Sequence, residues 1–234
     1  MAGPTLQDLQ AYSVNRAGQM ERIKSKLYDT VVYATAGATN IAFFSTPIGQ
    51  GASAAPGNAG NVKTLADTNM TLAGQLPAGQ NFLVESIEVD FKPGSSAATT
   101  TTFALVAPLV FNAAASAGTV MAAISDVAAI YNTGYLTFTV GSKNYVQEGP
   151  LGNFPPMTHL NVNAAVASTS ATVGQTLVGL ARAEGKPCNI DPVTLVAAQN
   201  FSVTASWPVV VATPSGFNGS MRVNLGGYLF RNSQ

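Results

Sequence analysis

Phe82-Leu83-Val84-Glu85-Ser86-Ile87-Glu88-Val89-Asp90-Phe91 is the stretch from which the fold is read. Leu83, Ile87, Val89 and Phe91 point one way, and Val84, Ser86, Glu88 and Asp90 the other. That is the period-two alternation of a strand with one buried and one polar face. Glu85 interrupts the inner row near its start. Lys92-Pro93-Gly94 closes the strand, because proline has no N–H for a ladder and glycine frees the backbone.

The same alternation recurs outward from this stretch. In residues 135–140, Leu136, Phe138 and Val140 oppose Tyr135, Thr137 and Thr139, and Gly141-Ser142-Lys143-Asn144 turns the chain into Tyr145-Val146, a hairpin pattern. Phe201, Val203, Ala205 and Trp207 face in within residues 195–207. Met221, Val223 and Leu225 face in within 221–230, with Arg222 and Asn224 out. Gly226-Gly227 marks a bulge or a close backbone approach. Short β-branched or aromatic runs at 31–33 and 41–45 flank Gly37, and residues 47–62 form a small-residue loop. About eight such runs, with long loops and no crossover helix after residue 30, predict an all-β antiparallel sandwich. Long loops and a C-terminal core strand suit a jelly roll.

Residues 5–28 carry a different period. Leu6, Leu9, Ser13, Arg16, Met20, Ile23 and Leu27 recur at spacings of three and four, which predicts the chain's one convincing helix. Thr5 with Asp8 resembles a capping box, Asp standing where Glu is usual. Gly18 marks a bend or break. Arg16, Arg22, Lys24 and Lys26 place four of the eleven positive charges here. The ordinary reading of such a cluster is a solvated face. The functional one is an arm that touches a neighbouring subunit, a membrane surface or nucleic acid. The expected organisation is an arm over residues 1–30 and a single sandwich over 31–234.

Charged residues make up only 9% of the 234 residues, against about 25% in an average soluble domain. Eleven Lys and Arg balance eleven Asp and Glu. Net charge keeps proteins apart in solution, so a neutral, charge-poor surface predicts contact with copies of the same chain. An assembly subunit fits this better than an enzyme. The balance also speaks against a strongly nucleic-acid-seeking surface. With 47% hydrophobic residues, disorder is not expected, and the length suffices for a core without staples. Cys188 is the only cysteine, so nothing requires an oxidising compartment. Residues 1–5 lack the features of a secretory leader. The uncharged stretch 103–124 mimics a membrane span. Pro108, Asn112, Ser116, Gly118 and the alanines between them give it too little transfer energy to be one.

Chemistry-bearing patterns are few. His159, the only histidine, follows Pro155-Pro156 in an expected loop, and a triad would need it beside a serine and a carboxylate. There is no second histidine, HExxH or CxxC to make a zinc site. Glu88 and Asp90 share a strand face, as paired carboxylates do in glycoside cleavage. Their ordinary reading is the polar side of a half-buried strand. Asp67-Thr68-Asn69 and Asn189-Ile190-Asp191 offer hard oxygen ligands without EF-hand spacing. The glycine-rich loop lacks GxxxxGK[ST] and GxGxxG. Trp207, Phe82 and Phe91 read as core anchors. No catalytic residue, cofactor or metal ligand is expected.

Three features together resemble the jelly-roll capsid proteins of tailless icosahedral bacteriophages. They are the N-terminal segment of mixed charge, the run Leu76-Pro77-Ala78-Gly79-Gln80-Asn81-Phe82-Leu83-Val84-Glu85-Ser86-Ile87 after a glycine- and alanine-rich loop, and the closing strand that ends in Arg231-Asn232-Ser233-Gln234. The resemblance spans most of the chain as architecture and composition and contains no diagnostic motif. It implies a virion structural protein, assembled in the host cytoplasm, whose partners are copies of itself and other virion proteins. Residues 5–28 would then be an inward arm, with Arg16, Arg22, Lys24 and Lys26 against an inner membrane or the packaged genome, and there would be no small-molecule substrate. Two other classes compete: a phage fibre or decoration protein, and a carbohydrate-binding or glycoside-processing sandwich that Glu88, Asp90 and Trp207 would serve.

Overall fold

The computed structural model describes residues 20–54, 60–94, 117–167, 175–184, 186–214 and 216–232. In chain order these form β1 (Met20–Tyr33), β2 (Asn40–Phe43), β3 (Gln80–Lys92), α1 (Ala117–Thr133), β4 (Tyr135–Val140), β5 (Lys143–Glu148), β6 (Thr158–Ala167), β7 (Gln175–Glu184), β8 (Cys188–Leu195), β9 (Phe201–Ser206) and β10 (Gly219–Asn232). Two four-stranded sheets run in the orders β1-β10-β3-β8 and β2-β9-β4-β5, and β6-β7 is a separate ribbon. Every ladder is antiparallel. The inward rows of both sheets meet in one core. Leu27, Phe82, Val84, Ile87, Val89, Met221, Val223 and Leu225 come from the first sheet; Phe43, Leu136, Phe138, Val203 and Ala205 come from the second. The molecule is therefore an all-β sandwich, as the alternation predicts.

The helix expected over residues 5–28 is corrected where it can be seen. Residues 20–28 are the first part of β1, paired along its length with β10, and the expected boundary between residues 30 and 31 falls inside that strand. Ile23, Leu27 and Val31 stand four apart, a spacing that fits period two as well as 3.6. Pairing with β10 decides between them, because helix periodicity is only a weak local preference. Arg16 and the rest of residues 1–19 lie outside the described residues. The expectation of no helix after residue 30 is also overturned, by α1. Its alanines are strong helix formers, yet they leave little contrast between faces for a periodicity reading to detect.

The alternation in β3 changes phase at Glu85. Gly226 faces Ser86 and Gly227 faces Val84, so Glu85 has no opposite number. Phe82 and Val84 therefore join Ile87, Val89 and Phe91 in the core, while Leu83 crosses to the outer face against Phe230. The glycine pair makes this possible: a Cβ on Gly227 would stand 1.8 Å from the carbonyl oxygen of Leu83.

Beyond Ile87, β3 has no β8 partner, and α1 together with the β5–β6 connection supplies substitutes. Val89 N–H donates to the Phe154 carbonyl at 2.8 Å. The Tyr131 hydroxyl of α1 accepts from Phe91 N–H at 2.9 Å and donates to the Val89 carbonyl at 2.8 Å. These bonds satisfy backbone groups that burial would otherwise leave orphaned. Burial pushes the Tyr131 phenol well above its ordinary range. The indole of Trp207 donates to the Ile130 carbonyl at 3.1 Å, which holds the end of α1 against the second sheet.

The long β2–β3 connection is tied to β1 by charge. Asp29 and Lys63 are 0% and 4% exposed, with Lys63 Nζ 2.7 Å from Asp29 Oδ1. Phe44 N–H donates to the other carboxylate oxygen at 2.7 Å. Asn69 covers the free edge of β1 by imitating a strand residue: its Oδ1 accepts from Tyr28 N–H at 3.0 Å and its Nδ2 donates to the Lys26 carbonyl at 2.8 Å.

Candidate functional site

The outer face of the first sheet collects the charge. Register sets Arg22 beside Phe230, Lys24 beside Tyr228, Tyr28 beside Asn224 and Thr30 beside Arg222. On the far side of β10, Arg222 meets Asp90, Asn224 meets Glu88 and Ser220 meets Lys92. Three adjacent strands thus bring Arg22, Lys24, Lys26, Lys92 and Arg222 onto one surface. Three of the four basic residues singled out in the sequence are among them, all exposed; Arg16 lies outside the described residues. Sequence reasoning missed Lys92 and Arg222 as members of this face. Their signal was present, since both occupy outward positions of alternating strands, but only pairing through β10 joins them to β1.

Several of these side chains are held in place. The Arg22 guanidinium carbon lies 3.7 Å from the centre of the Tyr228 ring. Arg222 sits 5.1 Å from the Tyr28 ring centre, donates to Thr30 Oγ1 at 2.7 Å and also donates to the Ala66 carbonyl. Lys26 Nζ lies 2.7 Å from Glu88 Oε1, and Glu88 is 3% exposed. The other Glu88 oxygen accepts from Asn224 Nδ2 at 3.3 Å and Met157 N–H at 3.4 Å. Asp90 Oδ2 is buried without a hydrogen-bond partner among the described residues. Burial pushes the Asp90 carboxyl above its ordinary range, and Lys92 and Arg222 only partly offset this. Burial likewise holds the Lys92 ammonium below its usual range despite Asp90.

The geometry separates the residues on which the glycoside reading relies. Glu88 is engaged by three donors, and Trp207 is 3% exposed in the core on the other side of the sheet, edge-on to Tyr33 at 5.5 Å. Glu88, Asp90 and Trp207 are not brought together. His159 lies in β6, paired with Ala183, rather than in a loop. Asp67 is a turn anchor: its carboxylate accepts from Ser53 Oγ, Ala54 N–H and Thr64 N–H at 2.8–3.0 Å. Among the described residues no group of three or more His, Cys, Asp or Glu is placed to hold a metal ion. Burial, then the Glu148 charge, pushes the Cys188 thiol up, away from the thiolate that reactivity needs.

A second kind of surface is the sheet edges. β5 ends the second sheet, and of its side chains only Val146 is half-buried while the rest are exposed. Edge strands present unpaired backbone groups that another chain can extend. Among the described residues no helix is long and apolar enough to cross a membrane. Comparison of the chain with protein-family models, curated proteins and solved structures finds no match.

Proposed function

We propose that this chain is a virion structural protein, a self-assembling capsid subunit that builds an icosahedral shell on a jelly roll. One observation carries the reading. β1 pairs with β10, β2 with β9, β3 with β8 and β4 with β5, all antiparallel. The chain is one long hairpin doubled on itself, with its four couples divided between two sheets. Wrapping such a hairpin generates the eight-stranded jelly roll of viral capsid and lectin domains. Between these two uses, the 9% charge content and the exposed β5 edge favour assembly. The engaged Glu88 and the buried Trp207 disfavour sugar chemistry.

On this reading the partners are copies of the chain and other virion proteins, the location is the virion after assembly in the host cytoplasm, and no residue is catalytic. Size-exclusion chromatography with light scattering tests it. Trimers, pentamers or larger species are expected, with well over ~1,000 Å² buried at each interface. A fibre subunit gives trimers or filaments without closed shells. A strict monomer at high concentration contradicts the proposal.

A further inference from the structure

We propose that the outer face of β1, β10 and β3 binds the phosphate backbone of nucleic acid. The sequence is neutral, but its folded surface is not. Four carboxylates, Asp29, Asp67, Glu88 and Asp126, are buried, whereas Lys63 is the one buried cation among the described residues. Among the described residues folding therefore hides negative charge and leaves a positive surplus outside. That surplus is concentrated: five of the eleven Lys and Arg, drawn from three strands that are far apart in the chain, share this face, on which the register also sets Glu88 and Asp90 as counter-charges. Overall charge balance speaks against a strongly nucleic-acid-seeking surface only when both signs are equally exposed, and balance in a sequence says nothing of which sign is buried.

The geometry suits a polyanion. Arg22, Lys24 and Lys26 alternate along β1, so their Cα atoms are spaced about 6.5–7 Å apart in a straight row. Arg22 and Arg222 each lie over a tyrosine ring. Such seats hold guanidinium groups ready for phosphate oxygens. Two other occupants fit less well. A lipid surface takes proteins whose apolar side chains enter the acyl boundary, and the large apolar groups of this face, Leu83 and Phe230, are buried. A second copy needs a matching acidic patch. The exposed carboxylates among the described residues are scattered, with Glu21 paired to Arg231, Glu148 on β5 and Asp191 on β8.

The proposal rests on the shell reading only in making this face the inner wall, and assembly is measured separately by light scattering. Fluorescence anisotropy of the full chain with a labelled 20-nucleotide single strand, repeated from 25 to 200 mM salt, tests it. A net of three phosphate neutralisations gives a slope of log K against log [salt] of about −2. The double variant Arg22→Ala/Lys24→Ala alters only exposed side chains. It should weaken binding at low salt by roughly tenfold or more and bring the slope to about −0.7. Lys143→Ala on β5 should change neither. Absence of binding at 25 mM salt, equal binding by the double variant, or binding to vesicles with 30% phosphatidylserine in preference to the oligonucleotide would each overturn it. Particle formation without oligonucleotide binding removes this inference and leaves the shell reading standing. Binding by a protein that stays monomeric does the reverse.

Discussion

Lys63 reaches from the β2–β3 connection into the sandwich to meet Asp29 with almost no solvent on either group. Removing one member of such a pair strands the other charge, which costs about 3–5 kcal/mol. Burial raises the Asp29 pKa above 3.8 even with Lys63 in place. A raised acid pKa means that the folded form holds its proton more tightly. Stability from this group is complete below about pH 3.8 and is lost as pH rises through the folded value. Lys63→Met removes two of the influences that lower that pKa. Its deficit against the parent should be largest near pH 7 and shrink toward pH 4 in urea titrations. A deficit of equal size at both pH values would contradict the pairing. The inward positions of β9, of β10 and of β3 from Ile87 onward were legible from alternation, whereas Leu83 and Val84 exchanged sides before the bulge, and Ile87 is fully buried as expected. Ile87→Ala should cost about 2–5 kcal/mol. Glu88 was legible as outward but not as buried, because its cover, Met157 and Lys26, comes from distant segments. Glu88→Gln should therefore cost about 1–3 kcal/mol, more than a solvated residue, while Asp191→Asn on an exposed β8 position should change stability by less than ~0.5 kcal/mol. Thermal denaturation of the three variants checks that ranking.

At the scale of elements, β1 is where local pattern and tertiary structure part company. An arm outside the sandwich would be dispensable. A strand that forms one edge of the first sheet and contributes Leu27 to the core is not. Deleting residues 1–28 should unfold the sandwich or lower its Tm steeply, whereas an arm would leave the circular dichroism spectrum and melting profile intact. α1 escaped a period-based reading because alanine satisfies helix propensity without marking a face. The bulge at Glu85 was half-legible: Gly226-Gly227 announced a close approach, and an acidic residue in an apolar row announced a slip. Only the register between β10 and β3 joins the two signals.

For the whole molecule, the class of fold followed from period-two runs and the lack of βαβ spacing. The strand order did not, because it depends on which distant runs pair, and single-sequence periodicity carries no information on partners. That order, a doubled hairpin divided between two sheets, is what makes a shell subunit the best reading of a charge-poor chain. The basic face was legible only in its β1 portion, since the burial of Asp29, Asp67, Glu88 and Asp126 is a property of the packed state. Electron microscopy of the purified, concentrated chain is the decisive measurement. Closed particles of uniform diameter, built from the oligomer found in solution, are expected. A field without particles or regular oligomers at any concentration, from protein that light scattering finds monomeric, would contradict the shell reading.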